Sequence, residues 1–298
     1  MGEPIPILRT TDQIGRWRAS NPGTAFVPTM GALHEGHAAL VQQAAALARD
    51  RGLASVCVSI FVNPTQFDDP RDYERYPKTL DADVALCAAA GATVVIAPEV
   101  AAVYPTPRSR AKPTEDDLPR VATAPLLEDA HRPGHFAGVV LVVSRLFEMV
   151  APSVSVFGEK DWQQLQVVRA MAAAQGGRVE IVPGPTVRER DGMAMSSRNR
   201  FLSKDERERA RAISLSLAAA GRCADADEAE RVMDRMLREA AIVPDYAVVR
   251  DATTLEREGR VLARNAGASG WRAIITGRLG SVRLLDNAAW PGPTRPRA

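Results

Sequence analysis

Four short runs concentrate the polar residues able to handle a phosphorylated ligand. The first, PTMGALHEGH (28–37), carries His34 and His37 three positions apart. At the start of a helix, that spacing projects both rings to one side. Gly31 and Gly36 let backbone approach a ligand, and a helix N-terminus favours phosphate. The run is not a P-loop, since no Gly-Lys-Ser/Thr follows, and it is not the G-x-G-x-x-G dinucleotide fingerprint. Two histidines with no obvious third ligand nearby make a weak zinc site. The plainer reading is a polar turn whose histidines cap the helix.

The second run, SIFVNPTQF (59–67), offers Asn63 and Gln66, neutral groups suited to hydroxyls or a carboxylate. Ordinary loop hydrogen bonding through an Asn-Pro turn is the competing reading. In FGEKDWQQLQ (157–166), Lys160 places a cation beside a helix start, which suits a phosphate oxygen. Asp161 can accept from ribose hydroxyls, and Gln164 lies one turn on. A surface Glu-Lys-Asp cluster would look the same. The fourth run, MAMSSRNR (193–200), joins two hydroxyls and an arginine, which bind polyphosphate by charge-assisted bonds. HRPGHFAG (131–138) adds Arg132 and His135 ahead of a helix.

The elements that must position these runs follow from periodicity. Short Val- and Ile-rich segments bounded by Gly or Pro occur at 24–29, 54–62, 92–97, 153–158 and 179–184, which reads as buried strands. Helical stretches at roughly 36–50, 78–90, 135–150 and 161–175 alternate with them. Such alternation means a parallel sheet covered on both faces. Three of the four runs then end strands on one sheet edge, where open α/β sheets bind ligands. The segment 139–150 would also suit a strand, but its length and the apolar Leu146, Phe147 and Val150 favour helix. Beyond residue 200 the pattern changes. Ser203 and Glu206 make a capping box opening one long helix to about Ala220, and a charged helix follows near 226–241. Three segments then read as strands of a small, mostly antiparallel sheet. The expected fold is α/β: a Rossmann-like parallel-sheet domain over 1–185 and a smaller C-terminal α+β lid domain over 186–298. Residues 105–134, with six prolines, resist regular assignment, and loops that long inside compact domains are often functional.

The 298 residues hold 38 Lys+Arg against 36 Asp+Glu, a formal charge of +2. That balance gives no electrostatic case for nucleic-acid or membrane-surface binding. Cys57, Cys87 and Cys223 are odd in number and form no C-x-x-C pair, which argues against a disulfide framework and for a reducing compartment. No apolar run approaches the roughly 20 residues of a membrane helix, and the first residues do not read as a signal peptide. A cytoplasmic protein is expected.

Taken together, PTMGALHEGH, SIFVNPTQF, YPKTLDAD, RPGHFAGV, FGEKDWQQL, DGMAMSSRN and RAIITGRLGSVRLLDN appear in that order nearly end to end. In this the chain resembles the pantoate–β-alanine ligases of the HxGH nucleotidylyltransferase superfamily. Trp162 and Ala137 stand where the family often has another aromatic and an Asp. The resemblance implies an ATP-dependent ligase that joins pantoate to β-alanine through a pantoyl adenylate, releasing AMP and pyrophosphate. It implies that Met30, Gly31, Ala32, Leu33, His34, Glu35, Gly36 and His37 line the nucleotide, with His37 the proton donor and His34 beside it. Gly158, Glu159, Lys160 and Asp161 would hold ribose and α-phosphate, with Lys160 on the developing charge. Val187 would meet adenine, and Met195, Ser196, Ser197 and Arg198 would close over the phosphates from the second domain. Gln66, Gln164 and Asn63 would bind pantoate, with Gln66 also serving β-alanine. Mg²⁺ would bridge phosphate oxygens, held mainly by substrate, with Asp83 a possible carboxylate partner, and the family implies a homodimer through the first domain.

Two other readings compete. Another HxGH nucleotidylyltransferase is disfavoured by the Gln66/Gln164 pair and by the lack of a second base-binding motif. A tRNA-binding synthetase-like module is disfavoured by the +2 charge and the missing anticodon domain.

Overall fold

The computed structural model describes residues 5–67, 70–257 and 270–291. They group into two units, one of residues 1–159 and 164–185, the other of residues 160–163 and 186–298.

The first unit is built on six strands: β1 (Ile7–Leu8), β2 (Thr24–Thr29), β3 (Ser55–Ile60), β4 (Val94–Ile96), β5 (Val154–Gly158) and β6 (Glu180–Gly184). They pair in the order β1-β4-β3-β2-β5-β6, every pair parallel. Five of these strands are those the apolar runs predict. The sixth, β1, escapes periodicity because two residues are too few to show any; it exists only by pairing with Val95 and Ile96. The four helices expected between strands form at Glu35–Arg51, Leu80–Ala89, His135–Val150 and Trp162–Ala174. The ambiguous 139–150 segment is helical.

Residues of β2, β3, β4 and β5 are buried in nearly continuous runs because helices cover both faces of the sheet. Ala25 and Val27 of β2 join Val41, Ala44 and Ala48 of the helix Glu35–Arg51 in one core layer. Phe26, of opposite parity, turns to the other face and meets Phe147 edge-on at 6.3 Å. Order in the sheet reverses between β2 and β5: the chain runs from β2 outward to β3 and β4, then returns to place β5 beside β2. That is the topological switch point, where a crevice opens outside the carboxyl ends of the strands.

The second unit has an antiparallel sheet of β7 (Val243–Asp251), β8 (Trp271–Leu279) and β9 (Val282–Trp290), in that order. Ile275, Leu284 and Trp290 pack with Leu217, Met233 and Leu237 of the neighbouring helices. The capping box at Ser203 and Glu206 is formed, at 3.2 and 2.9 Å. The single long helix expected to follow is instead two, Lys204–Ala210 and Ala212–Ala220, parted at Arg211. Sequence pattern does not show this break, since no Gly or Pro interrupts the run around Arg211. The long irregular stretch 105–134 contains only short pieces: Arg108–Arg110, Glu115–Asp117, Arg120–Ala122 and Glu128–His131 among the described residues.

Candidate functional site

In the first unit, β2 delivers Met30 through His37 to the switch point. Gly31 at φ +84° and Ala32 at φ +52° turn the chain sharply before the helix begins. The two histidines then lock the helix start reciprocally. Nδ1 of His34 accepts from the Gly36 N–H at 3.1 Å, and Nδ1 of His37 accepts from the His34 N–H at 3.3 Å. The rings lie 4.1 Å apart, tilted by 48°. A ring nitrogen that accepts a hydrogen bond carries no proton, so in each neutral imidazole the proton is on Nε2. Capping therefore uses Nδ1 of each ring. The capping reading of these histidines is correct, and it fixes the tautomer of both rings.

The same geometry changes the expected phosphate cradle at this helix start. The Gly36 N–H is taken by His34, and the N–H groups of His37 and Ala38 turn back to the His34 carbonyl. The Ala32 and Leu33 N–H groups point to Asp83 instead, at 3.0 Å (Oδ2) and 2.8 Å (Oδ1). Asp83 is buried. Thr79 Oγ1 also donates to its carboxylate, at 3.1 and 3.2 Å. Both oxygens of the carboxylate suggested as a metal partner are thus committed to N–H and O–H donors. Among the described residues, no group of three or more His, Cys, Asp or Glu side chains is placed to hold a metal ion.

β3 delivers the second run. Asn63 is buried, and its carboxamide is used on both sides. Oδ1 accepts from Thr65 N at 3.2 Å, Thr65 Oγ1 at 3.0 Å and Tyr104 OH at 2.9 Å. Nδ2 donates to Gln66 Oε1 at 2.9 Å and to the Gly138 carbonyl at 3.2 Å. Gln66 Nε2 in turn donates to Met30 Sδ at 3.2 Å, joining the β2 and β3 runs directly. Asn63 therefore holds Gln66, and Tyr104, from the edge of the proline-rich stretch, holds Asn63. Behind them, the Gln66 carbonyl lies 3.2 Å from His135 Nδ1 and accepts from Arg132 at 3.3 Å. Gly158 ends β5 and Glu159 follows it, with the Glu159 N–H donating to the Gly184 carbonyl at 2.8 Å. Gln164 is half-buried in the helix that follows.

The second unit carries the remaining residues. Val187 accepts from the Met195 N–H at 2.9 Å, closing a tight turn that Arg188 and Ala194 bridge. Val187 and Met195, read as adenine and phosphate contacts, are thus neighbours across this turn. Arg207 braces the turn through Glu189 at 2.6 Å and Asp191 at 2.8 Å. Partial burial works to raise the Asp191 carboxyl, but the Met193 N–H and the Arg207 guanidinium outweigh it and hold it below its ordinary value. Ser196 caps the short helix Ser197–Phe201 by accepting from the Arg198 N–H at 3.3 Å. Lys160, Ser196, Arg198 and Arg283 line one small pocket together with Asp286, and its cations and hydroxyl are groups suited to phosphate oxygens. Asp161 is exposed, and Ser197 half-buried.

Periodicity and motif spacing pass over the residues that fix Lys160. Its carbonyl accepts from Asn287 Nδ2 at 2.8 Å. Asn287 Oδ1 accepts from Arg272 Nε at 2.6 Å, and the Arg272 guanidinium lies 3.6 Å over the Trp162 ring. Trp162 Nε1 donates to the Ala252 carbonyl at 2.8 Å. The unusual aromatic at 162 is therefore the platform for an arginine.

A parallel sheet reversing at β2/β5, with an HxGH run at the switch point, defines an α/β nucleotide-binding enzyme of the nucleotidyl-transfer type. The family model described as pantoate-beta-alanine ligase matches residues 6–289, and the chain belongs to that family. It is similar to the pantothenate synthetase of Rubrobacter xylanophilus, 44% identical over 97% of this chain and 99% of that one. It is also similar to that of Acidothermus cellulolyticus, 42% identical over 94% and 90%. Among solved structures, a pantothenate synthetase from Thermus thermophilus superposes with a TM-score of 0.83 at 40% identity, covering 96% of this chain and 100% of that one. The pantoate-beta-alanine ligase of Francisella tularensis, solved with beta-gamma ATP and beta-alanine, gives 0.75 at 28% identity, covering 96% and 97%.

Proposed function

We propose that this ligase activates pantoate with ATP as an enzyme-bound pantoyl adenylate and then transfers the pantoyl group to β-alanine, forming pantothenate. The observation that carries the reading is the bond from Gln66 Nε2 to Met30 Sδ. It sets a side chain suited to a hydroxy acid against the run suited to a nucleotide, as attack of an acid on ATP requires.

In the first step a pantoate carboxylate oxygen attacks the α-phosphorus and the bond to pyrophosphate breaks. Such chemistry rests on positioning and on neutralising charge. Nε2–H of His34 and of His37 donate to phosphate oxygens, with His37 the proton donor toward the leaving pyrophosphate. Lys160 meets charge on the α-phosphate, and Ser196, Ser197 and Arg198 hold phosphate oxygens. Gly158, Glu159 and Asp161 serve the ribose, and Val187 meets adenine. Gln66 and Gln164 bind pantoate. In the second step the β-alanine amine attacks the adenylate carbonyl and AMP departs with its electron pair. Mg²⁺, held mainly by the substrate rather than by Asp83, whose oxygens accept from the Ala32 and Leu33 N–H groups, would supply charge neutralisation to the phosphates. The enzyme acts as a homodimer in the cytoplasm, a reducing compartment in keeping with three buried free cysteines.

AMP release from ATP, with pantoate and β-alanine each omitted in turn, tests the reaction. Full release should need both. Labelled pyrophosphate should exchange into ATP with pantoate alone; exchange that strictly requires β-alanine would rule out the two-step scheme. Sedimentation equilibrium tests the dimer.

A further inference from the structure

We infer that Asp83 is a positioning residue for the adenylation step: its carboxylate holds the turn that aims His34 and His37. The inference rests on the proposed nucleotide role of residues 30–37. The turn carries two consecutive left-handed residues, Gly31 at φ +84° and Ala32 at φ +52°. A non-glycine residue there is strained and persists only where its surroundings over-determine it. Asp83 does so, since Oδ2 takes the Ala32 N–H and Oδ1 the Leu33 N–H. Thr79 Oγ1 steadies the carboxylate from behind. Gly31 fits so closely that a Cβ there would lie 3.1 Å from Asp83 Oδ2 and 3.2 Å from Ile60 Cγ2. The next residue along the chain is His34, whose ring starts the helix and whose N–H fixes His37. Asp83 is thus joined to both imidazoles through two backbone amides and the short chain that follows them.

A carboxylate is required because two parallel N–H donors need two acceptors. In Asp83→Asn one amide oxygen can serve one N–H, while the NH₂ group faces the other. Loosening the turn misdirects the Nε2–H donors and leaves the Asn63–Gln66 pair in place. Asp83→Asn should therefore slow pantoate-dependent pyrophosphate exchange at least tenfold and raise the ATP KM severalfold. The pantoate KM should stay within twofold of the parent, measured well below the variant's melting temperature. A merely structural role would lower the melting temperature without that split between the two KM values. Thr79→Val, which removes the supporting hydroxyl alone, should show the same split at smaller amplitude and decides the matter where Asp83→Asn does not fold. His37→Ala runs beside them. If His37→Ala slows exchange while both other variants keep parental rates and KM values, the positioning role is overturned and the nucleotide reading survives. If His37→Ala is also silent, the nucleotide reading itself has failed.

Discussion

Asn63 Nδ2 donates to Gln66 Oε1 at 2.9 Å, so the Gln66 amide can turn only its NH₂ group elsewhere. Tyr104 OH, donating to Asn63 Oδ1 at 2.9 Å, prevents Asn63 from flipping, because a flipped amide would set NH₂ against that hydroxyl and the Thr65 N–H. Tyr104→Phe removes one guard. The pantoate KM should rise about threefold to tenfold, the effect of losing roughly 1 kcal/mol of orientation, with the ATP KM little changed. Steady-state kinetics varying each substrate in turn checks this; a rise confined to the ATP KM would contradict it.

His37→Ala should slow adenylation about 10²–10⁴-fold, the scale for losing a general acid or electrostatic stabiliser. It should also cost a fraction of the ~1 kcal/mol typical of a helix cap, because His37 Nδ1 accepts the His34 N–H. Rapid-quench measurement of AMP formation beside a urea titration separates the two. A variant that loses stability and keeps its turnover has lost a cap and nothing else.

Lys160 and the glutamines should separate kinetically. Lys160→Ala should chiefly lower the adenylation rate, because its charge meets charge that grows in the transition state. Gln66→Ala and Gln164→Ala should raise the pantoate KM more than they lower kcat, each losing roughly 1–3 kcal/mol. Pantoate lacking one hydroxyl should be penalised less by the matching glutamine variant than by the parent. Strictly additive losses would put that glutamine outside the pantoate site.

Gly138 lies where the helix His135–Val150 crosses the turn that carries Gln66. A Cβ added there would sit 2.5 Å from the Thr65 carbonyl oxygen and 2.9 Å from Gln66 Cα. Both are backbone atoms that cannot step aside alone. Gly138→Ala should cost about 1–3 kcal/mol and raise the pantoate KM together with it. Thermal unfolding and pantoate kinetics on the same sample check both; unchanged values would mean the turn shifts freely.

Asp191 titrates below its ordinary value of 3.8 in the folded protein. A carboxyl depressed on folding stabilises the protein above its unfolded value, and that contribution disappears as pH falls through the folded value. Arg207→Gln should therefore be less stable than the parent at about pH 5 to 7, and the gap should narrow below 3.8. Urea unfolding at neutral pH and at about pH 3 reads it directly. An equal gap at both would assign the loss to packing of the arginine stem.

The strands 24–29 and 153–158 were legible because burial on both faces leaves a local mark, a short run of apolar and small residues without charge, bounded by Gly or Pro. The cap at Ser203 was legible because its two partners stand three residues apart. His34, His37, Gln66 and Lys160 were legible because their polar types interrupt apolar periodicity at strand ends. What periodicity could not show were the contacts made across the fold. β1 is too short to carry a pattern, and it forms because a neighbouring strand edge offers hydrogen bonds. The use of each imidazole Nδ1 to cap the helix start depends on backbone torsions no residue type encodes. Asp83 stands 51 residues from Ala32, Tyr104 stands 41 from Asn63, and Asn287 stands 127 from Lys160. Each acts through a hydrogen bond whose strength comes from burial, and burial is a property of the packed chain. Residue types and local spacing thus settle which groups are available for chemistry and which strand ends present them. Their orientation is set only by the packed chain, because a buried polar group must find its partner wherever the fold brings one within about 3 Å.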